Sequence, residues 1–298
     1  MTTTLEQPAG DARTTRERTY DRSAGRRRAG TIAVYVGLAV LAVIYVYPFL
    51  LSIANSFKDN ADAAANPISL IPQTFTTAAY ERLFEADFPT WFKNSAIVTV
   101  VVTTGRVFFS ALAGYALSRL RFRGRALVFA GLVAVMSVPS VVLLIPRFLV
   151  INQLGIYDSY AGMIIPLLAD AAGIFIMKNF FESIPTSVEE AARIDGAGVF
   201  RRFWSVVLPM ARPAVVTIFI LSFQGSWNEL SHFIVSTQSP ELTTLTKGVA
   251  ALASGQLSQG TQYPIKLAAA AIMTIPVAVM FFIFQRRIMN ASEGAVKE

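Results

Sequence analysis

The chain has 298 residues, 54% of them hydrophobic and only 15% charged, with a formal net charge of +7. That composition is too apolar for a water-soluble core and places the chain in a bilayer. Its basic residues gather between apolar stretches rather than beside aromatic side chains, so no nucleic-acid partner is expected. The absence of cysteine and the single histidine leave no basis for disulfides, thiolate metal sites or a metal-ligand set.

Residues 1–30 are polar, rich in Arg, Thr and Gly, and lack an apolar period. They are expected to form a disordered, basic cytoplasmic tail near anionic lipid. Crossing about 30 Å of hydrocarbon takes about 20 apolar residues in a helix. Six spans meet this length, at 31–54, 96–117, 126–147, 160–181, 214–236 and 265–284. The first follows Arg26-Arg27-Arg28 and exceeds the apolar core of a signal peptide.

The outer segment 55–95 places Tyr80, Leu83 and Phe84 at helical spacing after a Pro-containing stretch, which predicts a short helix. The outer segment 237–264, with Gly248, Gly255 and Gly260, reads as a second cap of loop and short helix. Residues 285–298 form a C-terminal tail. The fold class is therefore all-α, a polytopic membrane protein with six transmembrane helices in one domain, 31–284. Of 26 Lys and Arg residues, 19 fall in the inner segments and 6 in the outer ones, with Arg106 inside a span. By the positive-inside rule both termini are cytoplasmic.

Between the fourth and fifth spans, residues 182–213 are too polar to cross and too long for a turn. Thr186 and Ser187 each precede a glutamate by three residues (Glu189, Glu190), the spacing of a capping box. A helix of about nine residues would end near Gly196. A second, from about Val199 to Val207, would stop at Leu208-Pro209. The hairpin would be held by Val188, Ala191, Ala192, Ile194, Phe203 and Val206.

This loop resembles a known family. Glu190-Ala191-Ala192, then Gly196, then Val206 and Leu208-Pro209 at this spacing is similar to the EAA loop of ABC importer permeases, with valine in place of the usual isoleucine. Ile184-Pro185 and Asp195-Gly196-Ala197 resemble its carbohydrate-importing branch. Gln285-Arg286-Arg287 and Gly294-Ala295-Val296-Lys297 resemble the end of its maltose-permease G type, although Ser292-Glu293 and the final Glu298 depart from that pattern. The resemblance implies a type I permease fold over residues 31–298. It also implies a coupling helix formed by Glu190, Ala191, Ala192, Asp195, Gly196, Leu208 and Pro209. The helix would dock on a dimer of ATPase subunits, beside a second homologous permease and an extracytoplasmic solute-binding protein.

Such a subunit sits in the bacterial cytoplasmic membrane. It carries no catalytic residue or cofactor of its own, ATP and Mg²⁺ residing in the partner. In keeping with this, the sequence has no Gly-Lys pair from which to build a P-loop.

Polar residues inside the spans are the other candidates, because charges at bilayer depth usually face a bundle interior or a water path. Gln224, Asn228, Ser231 and His232 fall on one face of the fifth span. Trp227-Asn228-Glu229 resembles a segment found at this place in sugar permeases. The stripe is expected either to line the substrate path, with the indole stacked on a sugar ring, or to glue helices together. Arg106 and Asp170 lie at matched depth and are expected either to pair or to face water or another subunit separately. The reading that follows is a permease subunit for an oligo- or disaccharide. A polyol or glycerol phosphoester is the alternative cargo, and an ion-coupled secondary transporter the rival mechanism.

Overall fold

A computed structural model of the protein describes residues 11–253 and 263–294, with side chains described over 30–252 and 263–285. Among the described residues every regular element is helical. The chain begins with α1 (Asp11–Ser56), α2 (Asn60–Ala65), α3 (Ala78–Glu85), α4 (Phe88–Arg119) and α5 (Arg125–Met136). A 3₁₀ turn at Ser140–Leu143 leads into α6 (Leu144–Gln153), α7 (Tyr160–Leu168), α8 (Ala171–Ser183), α9 (Thr186–Ile194) and α10 (Val199–Arg202). A π turn at Phe203–Val207 joins α10 to α11 (Leu208–Met210). There follow α12 (Arg212–Trp227), α13 (Ser231–Ser236), a 3₁₀ turn at Pro240–Leu242, α14 (Leu245–Ala253) and α15 (Tyr263–Gly294).

Among the described residues four stretches are long and apolar enough to cross a membrane: Gly30–Ser56, Phe88–Arg119, Tyr160–Ser183 and Tyr263–Gln285. Two bent pairs raise the number to six when each counts as one span. Arg125–Met136 and Ser140–Gln153 meet at 102°, and Val199–Met210 and Arg212–Trp227 at 79°.

The helices depart from the sequence expectation in four places. Helical backbone already begins at Asp11, within the segment 1–30 expected to be disordered; residues 1–10 lie outside the described ones. No proline interrupts the chain between Asp11 and Pro48, and arginine and alanine are good helix formers. Similarly, α15 carries helix to Gly294, into the expected tail, and residues 295–298 lie outside the described ones.

The expected straight span 126–147 breaks after Met136. Pro139 biases its predecessor away from helical angles, and the 12 residues of α5 cover only about 18 Å at 1.5 Å each. The expected span 214–236 ends its long helix at Trp227, with Asn228 to Leu230 separating it from α13.

The core is built around α4, which packs along α8, α12 and α7. Its crossing with α8 is close because the residues there are small. A Cβ on Gly114 would lie 2.6 Å from the Met177 Cβ and 3.0 Å from the Lys178 backbone nitrogen, and one on Gly173 would lie 2.6 Å from the Ser110 hydroxyl. Small residues at i and i+4 let two helix backbones approach in this way.

Among the described residues, three buried clusters stack along the bundle. Tyr115, Phe181, Phe203 and Ile218 pack at the end carrying the α9–α10 hairpin. Val98, Val102, Met163 and Phe233 form a middle layer. Leu83, Trp91, Trp227 and Leu245 lie at the far end. α3 is the short helix expected from Tyr80, Leu83 and Phe84. In the second cap, α14 carries Gly248 against the Trp91 ring, while Gly255 and Gly260 lie outside the described residues.

The far end is closed by polar clamps. The Lys58 ammonium, fully enclosed, donates to the carbonyls of Asn66 and Ser69, both at 2.7 Å. Asp158 accepts from the Gln238 amide at 2.8 Å, the Ser239 amide at 3.0 Å and the Ser239 hydroxyl. These bonds, led by the Ser239 hydroxyl, hold the Asp158 carboxyl below the ordinary carboxylate range. A carboxyl whose folded pKa is depressed stabilises the fold above its unfolded pKa, and that contribution disappears as pH falls through the lower folded value. Acidification below about pH 4, the ordinary Asp range, should therefore lower the unfolding temperature of the wild type more steeply than that of Asp158→Asn. Parallel pH profiles for the two proteins in scanning calorimetry would contradict the assignment.

Candidate coupling hairpin and translocation cleft

The hairpin starts where α8 ends at Ser183, and α9 has the nine residues expected of it. The capping box does not form. Pro185 is the N-cap and no side chain caps the helix. Glu189 instead turns inward, with its carboxylate 3.0 Å from the Arg119 Nε, and it accepts a 3.2 Å hydrogen bond from the Tyr115 hydroxyl. Arg119, the last residue of α4, also donates from Nη2 to the carbonyls of Phe181 and Ile184. One guanidinium thus joins the end of α4, the end of α8 and the first turn of α9. Both side chains of the pair are more than nine-tenths buried.

Gly196 turns the chain between α9 and α10 at φ +79°, a left-handed angle that strains any residue with a Cβ. The second arm does not stop before Pro209. It continues to Met210 through the π turn, whose wider ring accommodates a residue without an N–H, and the bend comes at Ala211. Leu208 and Pro209 are half-buried at that bend.

The apolar residues of the hairpin divide into two sets. Phe203 is buried among Tyr115 and Phe181, and Val206 packs beside it. Ile194, expected to hold the hairpin, is 87% exposed, and Ala191 is exposed as well. Phe200, at the start of the second arm, is 76% exposed. Glu190 and Asp195 are also exposed, while Ala192 is half-buried. The hairpin therefore presents an apolar knob rimmed with charge, on a base fastened to α4 and α8.

The expected polar stripe does not form one face, because the helix ends at Trp227. Asn228, Glu229 and Ser231 line a cleft of ≈ 280 Å³ with Gly225, Ser140 and Arg147. Gln224 is exposed one turn earlier on α12. Trp227 points into the core, stacked on Phe223 at 5.9 Å, and its indole N–H donates to the Met273 carbonyl at 3.1 Å. Its ring cannot stack on a sugar in this arrangement. His232 is buried, with Nε2 3.1 Å from the Met163 carbonyl. The Glu229 carboxylate accepts from the His232 amide at 2.9 Å, closing the break between α12 and α13.

Arg106 and Asp170 do not form an ion pair. Each satisfies one side of the break between α7 and α8. The Arg106 Nε donates to the Leu167 carbonyl at 2.5 Å, an acceptor left over at the end of α7, and Asp170 caps α8 by accepting from the Gly173 amide at 3.1 Å. Among the described residues no group of three His, Asp or Glu side chains is placed to hold a metal ion.

Comparison with known proteins places this architecture. The family described as "Binding-protein-dependent transport system inner membrane component" matches residues 106–291. The chain is 31% identical to "Inner membrane ABC transporter permease protein YcjP" of Escherichia coli (strain K12), over 91% of this chain and 98% of that protein. It is 34% identical to "Trehalose transport system permease protein SugB" of Mycobacterium tuberculosis (strain CDC 1551 / Oshkosh), over 92% and 99% respectively. A chain of a solved structure, a bacterial ABC transporter involved in import of the acidic polysaccharide alginate, superimposes with a TM-score of 0.75 at 27% identity, covering 87% of this chain and 96% of that one. The hairpin, the bundle and these relatives together show that the chain belongs to the binding-protein-dependent inner membrane components, as a permease of the carbohydrate-importing ABC transporters.

Proposed function

We propose that this subunit couples ATP hydrolysis in a partner ATPase to the import of an oligo- or disaccharide by alternating access. The observation that carries the proposal is the hairpin, whose exposed Ile194 and Phe200 form a knob while Arg119 and Glu189 fasten its base to α4 and α8. Movement imposed on the knob is thereby transmitted to the two spans that cross closely at Gly114 and Gly173.

In this reading the hairpin faces the cytoplasm with both termini, as the arginine distribution favours. The knob enters a cleft on an ATPase dimer that holds ATP and Mg²⁺. Glu190 pairs with a basic group at the rim. The cleft beside Asn228, Glu229 and Ser231 faces a second, homologous permease, and the two halves enclose the sugar received from a solute-binding protein outside. Hydroxyl-rich cargo fits a lining of amide, carboxylate, guanidinium and hydroxyl groups, which bond sugar hydroxyls from several sides. A polyol or glycerol phosphoester remains the second reading, supported by 28% identity to the sn-glycerol-3-phosphate transport system permease protein UgpE of Yersinia pestis bv. Antiqua (strain Antiqua).

Proteoliposomes holding this chain with its partner permease, ATPase and binding protein should accumulate labelled oligosaccharide on ATP alone. Uptake that ignores ATP and collapses with an ionophore would replace the proposal with ion coupling.

A further inference from the structure

Behind the hairpin lies a cavity of ≈ 430 Å³ whose walls hold four guanidinium groups, Arg119, Arg121, Arg193 and Arg202, against two carboxylates, Glu189 and Glu190. Arg119 and Glu189 neutralise each other. The remainder is three cations facing one exposed carboxylate.

Arg202 is the unusual member. It is 8% exposed, yet its Nε and Nη1 have no hydrogen-bond partner. A buried guanidinium without an anion is costly to the fold, because the desolvated charge has nothing to offset it. The cavity it lines has room for the missing anion.

We infer that this cavity is a binding site for a phosphate ester, the headgroup of an anionic phospholipid, seated on Arg202 with Arg121 and Arg193 at its mouth. Guanidinium donates in a planar fork that matches phosphate oxygens. The location also fits a headgroup in the orientation proposed above, because the pocket lies at Arg119, the last residue of an apolar helix long enough to cross a membrane, and basic pockets between helices at the cytoplasmic surface take such lipids. With α9 and α10 supplying two walls, a bound phosphate braces the hairpin from behind.

The test uses the assembled transporter in phosphatidylcholine nanodiscs. Thermal unfolding is followed with and without added phosphatidylglycerol, and separately with millimolar inorganic phosphate. Phosphatidylglycerol should raise the wild-type midpoint by several degrees, with the gain lost in Arg202→Gln and reduced in Arg193→Gln. Because Arg193 is exposed, that variant carries the comparison if Arg202→Gln does not assemble. A gain produced equally by inorganic phosphate, and lost in the same variants, supports the site and identifies free phosphate as its source. No gain from either probe, as when an acidic residue of the ATPase fills the pocket, overturns the inference. So does a gain that both variants retain.

Discussion

Glu189→Ala should destabilise the protein by about 3–5 kcal/mol, the usual cost of removing one partner from a buried ion pair. The loss arises from the Arg119 charge left without a counterion at 8% side-chain exposure, more than from the bond itself. Glu189→Leu combined with Arg119→Met should be milder than Glu189→Ala, because an apolar pair leaves no charge buried. Chemical unfolding of the purified subunit in detergent measures both. A loss below about 1 kcal/mol for Glu189→Ala, the range of exposed pairs, would show that the pair does not fasten the hairpin.

Ile194→Asp should act in the opposite manner, leaving the fold intact and removing transport. The side chain is 87% exposed, so a carboxylate there meets water in the isolated subunit. In an assembly it would lie at the centre of a docking knob, where truncating a hot-spot residue costs about 2 kcal/mol or more, roughly 30-fold in affinity. ATP-driven uptake should fall by at least that factor, and the ATPase should no longer copurify. Normal copurification and uptake with unchanged unfolding temperature would mean that the knob is not the docking element.

The sequence disclosed the parts of this fold that depend on length and local chemistry. Twenty-residue apolar runs located α4, the C-terminal end of α1 and the start of α15, and Gly196 marked the end of α9 because its positive φ has few other solutions. The interruptions were harder to read. A polar stripe over Gln224, Asn228, Ser231 and His232 assumes one continuous helix, but the helix ends at Trp227 and rotates the later residues out of register. Hence His232 and Trp227 enter the core while Asn228 and Ser231 face the cleft.

Matched depth likewise suggested that Arg106 and Asp170 pair. The break between α7 and α8 supplies each with a backbone partner that no charge pattern announces. The Arg119–Glu189 fastening spans 70 residues of sequence, and its glutamate occurs where a capping box would also place one. Distinguishing the two requires knowing which side of α9 faces the bundle.

The first span has a consequence for the membrane around it. Gly30–Ser56 has 27 residues, none buried in its most apolar stretch, and it lies along α15. At 1.5 Å per residue it reaches about 40 Å, against about 30 Å of hydrocarbon. A helix that long tilts or thickens the surrounding lipid. Bilayer thickness thereby becomes a mechanical load on the last span, and acyl-chain length a variable to which the transport cycle is exposed.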